Sequence, residues 1–319
     1  MSPVPRDGAG ELVRSMVCPT CRAALARRDD SALHCGAEGT TYRKEGGIWR
    51  MLDAATRASL APFLARYRTV RRAERWGSDD AAYYRALPFE DRSRRHTDIW
   101  RIRAIGYRAL VREVVPREPG TDARTILDLG AGNGWLSHRL AGLGHEVAAV
   151  DIDDDADDGL GAWPHYGDPP PFTPVQASFD RLPWPDGSAD VVVYNGSLHY
   201  SADYRATLAE GRRVLSCAGR LAILDSPFYR RAESGAAMVR GRDETFRTDY
   251  GLEPAEPIHE GFLTRDRLAA LGADLGITWR VATPWYGLRW ALRPWANRLR
   301  GLREPMRFHV VIGHVDRAG

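Results

Sequence analysis

The stretch "ILDLGAGNG" at 126–134 limits this chain more than any other, because an apolar run ends there in three alternating glycines and passes at once into the helical pattern "WLSHRLAGLG". Gly130, Gly132 and Gly134 let the backbone turn tightly and approach a ligand, and the amides that open the next helix suit a carboxylate or phosphate. A strand, a glycine loop and a helix in that order predict a nucleotide-like ligand. The spacing is not the dinucleotide fingerprint: its third glycine would stand at Trp135, and an acid, Asp128, sits two residues ahead of the first glycine. A second acid, Asp151, ends the next strand, "HEVAAVDI", where a ribose hydroxyl pair would be held.

The same rhythm continues downstream. "TPVQAS", "ADVVVYNG" and "GRLAILDS" read as strands, the last two separated by the amphipathic helix "ADYRATLAEGRRVL". Strands that are apolar throughout and alternate with such helices predict a parallel sheet covered on both faces. The 319 residues exceed what one core usually holds, so a main domain with attachments is expected. Upstream, "LAPFLARYRTV", "DDAAYYRAL" and "DIWRIRAIGYRALVREVV" carry apolar residues at helical spacing, ended by Pro116, Pro119 and Gly120. Further on, Thr264 is the expected cap and Gly276 the expected stop of the helix "TRDRLAALGADLG", ahead of the strands "ITWRVA" and "MRFHVVIGHV".

Over roughly residues 120 to 225, these motifs make the chain resemble the class I S-adenosylmethionine-dependent methyltransferases, especially the group that includes the quinone-biosynthesis C-methyltransferases. The resemblance implies an α/β fold with a doubly wound, Rossmann-like, mostly parallel seven-stranded sheet, and S-adenosyl-L-methionine as cofactor. It implies that Asp128 and the backbone of Gly130, Gly132 and Gly134 hold the methionine part, that Asp151 holds the ribose hydroxyls, and that Ile152 lies beside the adenine. "QASFDRLPWPDGSADVVV" resembles the third family motif, with Ser178 where an acid usually accepts from the adenine amino group and Phe179 packing beside it. Asn195, in "NGSLHY" after the fourth strand, contacts the cofactor or shapes the floor of the site.

Methyl transfer from a sulfonium is an in-line displacement, so the protein supplies proximity and orientation, and a base only where the acceptor must lose a proton. Such a base belongs beyond the C-terminal strand ends. That makes His199 the first candidate and Tyr200 and Asp225 the next, each with a structural reading beside it as a strand-end cap or positioning group. Tyr229 shares that edge, and Tyr83 and Tyr84 either roof the pocket from the helical connector or pack in the core. With the family's strand order, insertions at 226–263 and 284–305 overhang the site as helical lids. Their arginines, Arg230, Arg231, Arg240, Arg242, Arg247, Arg289 and Arg293, together favour an anionic acceptor, with solvated surface as the plainer role of any one of them. In the second insertion Trp285, Leu288, Leu292, Trp295, Leu299 and Leu302 share one stripe between arginines. Packing of that stripe on the domain is the expectation, with peripheral membrane contact or capture of a lipid-like substrate as the alternative.

Near the N-terminus, "CPTC" and "HCGAEG" bring Cys18, Cys21, Cys35 and Glu38 into the spacing of a metal site. This segment resembles the small zinc ribbons of the transfer-RNA-methyltransferase activator type, and those that precede the methyltransferase domain in bacterial ribosomal-RNA guanine-N1 methyltransferases. The resemblance implies a structural Zn2+ held by Cys18, Cys21, Cys35 and Glu38, with a metal-free relic as the alternative. The expected organisation is a flexible segment at 1–17, a zinc-ribbon-like module at 18–52, a helical connector and cap at 53–118, and the methyltransferase domain with its lids at 119–319.

Composition sets the outer bounds. Net charge is +3 with one lysine, Lys44, which supplies no broad basic field for nucleic acid. Four cysteines make no disulfide framework, no apolar run is long enough to span a bilayer, and "MSPVPRDGAGELVRSM" lacks a signal-peptide core, so a cytoplasmic protein is expected. "DIDDDADDG" fails the EF-hand pattern and reads as a solvated loop or helix start, and Cys217 reads as a lone core thiol. The leading reading is a methyltransferase acting on a small molecule. An RNA methyltransferase that docks RNA through the ribbon is the second, and a non-enzymatic cofactor-binding scaffold the third. Neither the acceptor atom nor the oligomeric state has a signal in the sequence.

Overall fold

The glycine loop is built where the pattern placed it. A computed structural model describes residues 11–115, 123–253 and 260–315; the expected helix stop at Pro116, Pro119 and Gly120 lies outside them. Seven strands form the doubly wound part: β5 (Thr125–Leu129), β6 (Glu146–Asp151), β7 (Thr173–Gln176), β8 (Ala189–Asn195), β9 (Leu215–Leu224), β10 (Ile277–Ala282) and β11 (Val310–Val315). Their order is β7-β6-β5-β8-β9-β11-β10, with β11 antiparallel to both neighbours and the strands from β7 to β9 mutually parallel. The order reverses between β5 and β8, so the crevice of an open α/β sheet lies at their C-terminal ends, beside Gly130 and Asn195.

The continuous apolar character of these strands has a direct cause. Leu127, Leu129, Val192, Tyr194, Leu221 and Ile223 enter one buried cluster, while their alternate neighbours Ile126, Val191, Val193, Ala222 and Leu224 enter another on the opposite face. Helices α6 (Tyr204–Val214) and α8 (Arg265–Leu275) cover the first face. Helices α3 (Ala81–Ala86), α4 (Thr97–Glu113) and α5 (Trp135–Ala141) cover the second. Thr264 caps α8 by accepting from Arg267 N at 3.1 Å, and Gly276 ends it in the left-handed region, as the sequence predicts.

The sheet does not stop at seven strands. Strands β1 (Ala26–Asp29), β2 (Ala32–Cys35), β3 (Thr40–Glu45) and β4 (Ile48–Arg50) form an antiparallel meander whose last member pairs in parallel with β7, giving eleven strands in all. Met51 N donates to Gln176 O at 2.9 Å and Val17 N to Pro183 O at 3.0 Å, so the cysteine module is an extension of the sheet edge. Residues 11–17, expected to be flexible, instead begin as helix α1 (Glu11–Arg14), with Leu12 and Val13 buried in the first cluster. Leu12 accepts from Trp184 Nε1 at 2.9 Å and its amide donates to Glu146 Oε1 at 3.0 Å, which explains the order: the apolar turn packs on the face of the sheet beside β6.

The lid insertions carry helices α7 (Ala232–Tyr250) and α9 (Leu288–Leu299), and the connector carries α2 (Ala54–Ala73). The two insertions are tied around Phe228: its amide and carbonyl exchange 3.0 Å bonds with Arg307, just past the second insertion, and Arg230 N donates to Glu304 Oε1 within it at 2.6 Å, while Leu263 N donates to Pro227 O at 2.8 Å inside the first. Cys217, expected in the core, is exposed on β9. Because Trp49 of β4 is 2% exposed and shares its cluster with Leu127 of the central strand, the ribbon and the main sheet should unfold together. Trp49→Ala is expected to lower the unfolding free energy by about 3–5 kcal/mol in one cooperative denaturant transition. A separate early transition confined to the ribbon would show that the module is thermodynamically independent.

Candidate functional site

The loop after β5 has the backbone that only glycine takes without strain: φ is 75° at Gly130 and 81° at Gly134. A Cβ on Gly130 would stand 2.2 Å from Ser197 Cβ, so the loop lies directly against the end of β8. Ser197 Oγ in turn donates to Leu129 O at 2.5 Å, fastening the two strand ends that flank the crevice.

Two carboxylates face this loop. Asp128 is 1% exposed; its Oδ2 accepts from Ser137 Oγ at 2.8 Å, and its buried Oδ1 has no hydrogen-bond partner among the described residues. Asp151 accepts from Gly132 N at 2.7 Å and from Asp153 N at 2.8 Å, which joins the glycine loop to the loop after β6. Burial raises both carboxyls to about 7, in Asp151 against the pull of its amide hydrogen bonds and in Asp128 against that of Ser137. Ile152 follows on the same loop, its carbonyl accepting from Gln176 Nε2 at 3.1 Å. Ser178 Oγ accepts from Asp180 N at 3.2 Å, while the Phe179 ring packs toward Tyr194, with centroids 6.2 Å apart. Asn195 ends β8 beside Gly196.

The acidic run after Asp151 is not the solvated loop its composition suggests. Arg68 on α2 donates from Nε to Asp153 at 2.7 Å and from Nη2 to Asp154 at 2.8 Å, and Arg50 reaches Asp154 from β4 at 2.5 Å. Arg72 pairs with Asp155 at 2.9 Å, and Arg71 donates to Asp158. These pairs clamp α2 over the loop, because the aspartates at 153, 154, 155 and 158 could not crowd one loop without counter-charges. Arg71 is further enclosed by Trp76, whose ring lies 3.8 Å from its guanidinium carbon.

Helix α2 thereby becomes the roof. A cavity of 450 Å³ opens at the ends of β8 and β9, and Tyr67, Arg71 and Trp76 enter it from the α2 side. The three catalytic candidates, His199, Tyr200 and Asp225, line the same cavity. His199 Nδ1 lies 3.4 Å from Ser226 Oγ, and its ring is 4.3 Å from that of Tyr200. Burial raises the Tyr200 phenol above its ordinary value, so it enters as a neutral hydroxyl. Asp225 Oδ2 accepts from Arg103 Nε of α4 at 2.8 Å, which commits its carboxylate to an ion pair.

Tyr83 and Tyr84, weighed as the roof, are core residues: Tyr84 stacks on His165 at 4.2 Å and donates to Asp157 O at 2.6 Å, beneath the loop and away from the cavity. Of the lid arginines, Arg293 lines the cavity and Arg242 a smaller neighbouring one of 140 Å³. Arg247 pairs with Glu244 and Arg231 with Glu304. The guanidiniums of Arg71 and Arg103, which no motif flagged, take their place. A signal existed in the complementarity of Arg68, Arg71 and Arg72, spaced three and four apart, with the aspartates at 153–158.

In the cysteine module, the sulfurs of Cys18, Cys21 and Cys35 all lie within 4.8 Å of one another, Cys21 and Cys35 at 3.5 Å. Tetrahedral zinc with bonds near 2.3 Å needs sulfurs roughly 3.8 Å apart, so these three fit it. Glu38 is exposed and falls outside the group, while Tyr42 Oη comes within 3.3 Å of Cys18 Sγ. His34 turns away to Thr41 at 3.0 Å.

A doubly wound sheet with a glycine loop, an acid at the end of its second strand and a cavity at the switch point defines a nucleotide-cofactor domain. Residues 127–223 match the family described as "Methyltransferase domain", and the chain carries a class I S-adenosylmethionine-dependent methyltransferase domain. A protein named as a probable S-adenosylmethionine-dependent methyltransferase in Mycobacterium tuberculosis is 30% identical over 159 residues, 50% of each chain. This chain thus spans half the length of that relative. An uncharacterized methyltransferase of a Mycobacterium species is 28% identical over 71% of this chain and 84% of its own. A ubiquinone/menaquinone biosynthesis C-methyltransferase of a Caulobacter species is 32% identical over 31% of this chain and 43% of its own.

Because Arg71 is buried against Asp158 and Arg72 is largely exposed, the clamp should be unequal. Arg71→Ala is expected to cost about 3–5 kcal/mol of stability by stranding a buried carboxylate, and Arg72→Ala under about 1 kcal/mol, as read by urea denaturation. Equal losses would contradict this division.

Proposed function

We propose that this protein transfers the methyl group of S-adenosylmethionine to a small acceptor with an aromatic or apolar body and a negative charge. The observation that carries the reading is the cavity at the ends of β8 and β9. Its walls are aromatic and aliphatic, Arg71, Arg103 and Arg293 line it, and Asp225 is the one carboxylate in its lining among the described residues. A volume of 450 Å³ suits a small molecule.

The residues of the glycine loop fit the cofactor. Asp128 keeps an unpaired buried oxygen for a cationic amino group, Asp151 has acceptor capacity left for hydroxyls, and the close approach at Gly130 leaves no room for a side chain. The cofactor when bound supplies an electrophilic methyl group. The chain's own part is to orient the acceptor: Arg103, held by Asp225, and Arg293 draw in its anionic end, and Tyr67, Tyr200 and Trp290 flank its body. Where the acceptor is a hydroxyl, amine or acidic carbon, His199 is placed at the cavity wall to take the proton. The malonyl-[acyl-carrier protein] O-methyltransferase and the quinone-pathway C-methyltransferase among its relatives support a small or carrier-borne acceptor over RNA.

Calorimetry with S-adenosylmethionine tests the reading directly. Binding is expected, with loss of about tenfold or more in Asp151→Ala. Since both carboxylates must be ionised to accept, affinity should rise as pH climbs through about 7 and fall about a hundredfold from pH 8 to pH 6, or about tenfold if only one of them is needed. No binding, or binding insensitive to pH and to Asp151→Ala, would refute the assignment.

The cysteine module is proposed to hold one structural Zn2+ on Cys18, Cys21 and Cys35, with Glu38 on the turn after Cys35 as the proposed fourth ligand once metal draws it in. Metal analysis of purified protein should find about one zinc per chain, absent in Cys21→Ser and reduced in affinity in Glu38→Ala. Full, chelator-resistant zinc in Glu38→Ala would remove Glu38 from the ligand set.

A further inference from the structure

Helix α9 has two faces with opposite fates. Its inner face is seated: Trp290 stacks on Phe308 with centroids 5.8 Å apart and lies 5.4 Å from Tyr286, while the Arg293 guanidinium sits 4.2 Å from the Trp290 ring. Its outer face, expected from the sequence to pack on the domain, packs on nothing among the described residues. Leu288 is 66% exposed, Leu292 51%, Trp295 67% and Leu299 89%, with Trp285 at 68% and Leu302 at 56% on either flank. Positions 288, 292, 295 and 299 fall on one stripe at the helical period, so this is a continuous apolar surface. Soluble proteins seldom leave such a surface bare without a partner.

Charge identifies the partner. Residues 284–303 contain five arginines, Arg289, Arg293, Arg298, Arg300 and Arg303, and no aspartate or glutamate, in a chain whose net charge is only +3. None of the five makes an ion pair among the described residues, and Arg289 and Arg298 border the apolar stripe on its two sides. A second copy meeting this face across a two-fold axis would bring arginine against arginine. An anionic bilayer accepts both features at once: the leucines and tryptophans enter the headgroup boundary and the flanking guanidiniums meet lipid phosphates. At 12 residues α9 is too short to cross a bilayer and the right length to lie in its plane.

We propose that α9 and its flanks, from Trp285 to Leu302, form an interfacial surface that docks this protein on anionic lipid bilayers. The inner face of the same helix contributes Trp290 and Arg293 to the 450 Å³ cavity, so docking sets the cavity mouth against the membrane. An amphiphilic acceptor would then enter from the lipid side; this last step rests on the methyltransferase reading, and the docking surface does not.

Vesicle flotation separates the possibilities. Wild-type protein should bind vesicles of phosphatidylcholine mixed with phosphatidylglycerol at least about tenfold better than phosphatidylcholine alone, and the binding should weaken with added salt. Leu292→Glu/Trp295→Glu should abolish binding, and Arg289→Gln/Arg298→Gln should reduce it about tenfold or more. S-adenosylmethionine affinity and the far-UV circular dichroism of both variants should match wild type, which excludes misfolding. Absence of wild-type binding, or unchanged binding in Leu292→Glu/Trp295→Glu, would overturn the proposal. So would a wild-type dimer that this variant splits while vesicles stay bare, which would assign the face to a second copy. Because flotation needs no methyl transfer, its failure would leave the cofactor reading standing, and failure of cofactor binding would leave the docking surface standing.

Discussion

The ion pairs between α2 and the loop after β6 are the constraint on which the site depends. Asp153, Asp154, Asp155 and Asp158 crowd one loop, and each is met by an arginine from α2 or β4. The same loop positions Asp151 through the Asp153 amide, and the same helix carries Tyr67 and Arg71 into the 450 Å³ cavity. The loop that carries Asp151 and the roof of the cavity are therefore one electrostatic unit. Partly buried charges held this way are costly singly and stable only as a set, so the geometry resists small distortions.

The cysteine module takes part in that unit. Through β4 it extends the sheet past β7, and Arg50 at the end of β4 bonds both Asp154 and Gln176. Cys18 and Cys35 belong to the same buried cluster as the central strands. The module acts as a buttress for the strand that leads into Ser178 and Phe179, which is a different use from a detached arm that presents itself to a partner. The lids show a similar economy, since the bonds around Phe228 tie the two insertions together and α9 serves the cavity with one face.

Much of this was legible in the residues. The strand, glycine loop and helix around Gly130, the acids Asp128 and Asp151, and the placement of His199, Tyr200 and Asp225 at the strand ends all follow from short-range pattern. Arg103 with Asp225, Arg68 with Asp153 and the retreat of Tyr84 into the core were not legible in that way. Arg68 and Asp153 are 85 residues apart and Arg103 and Asp225 are 122, and no local period links such pairs.

Short-range pattern therefore sets the local geometry. The left-handed turns at Gly130 and Gly134 and the two-faced burial of the strands are written within a few residues of each position. Long-range packing settles which helix roofs the cavity, that the cysteine module joins the sheet, that Glu38 stands apart from the three sulfurs, and that the α9 stripe stays bare among the described residues. The reason is physical: an amphipathic stripe or a charged run states what it needs, an apolar cover or a counter-charge. Only long-range packing decides whether the rest of the chain supplies it.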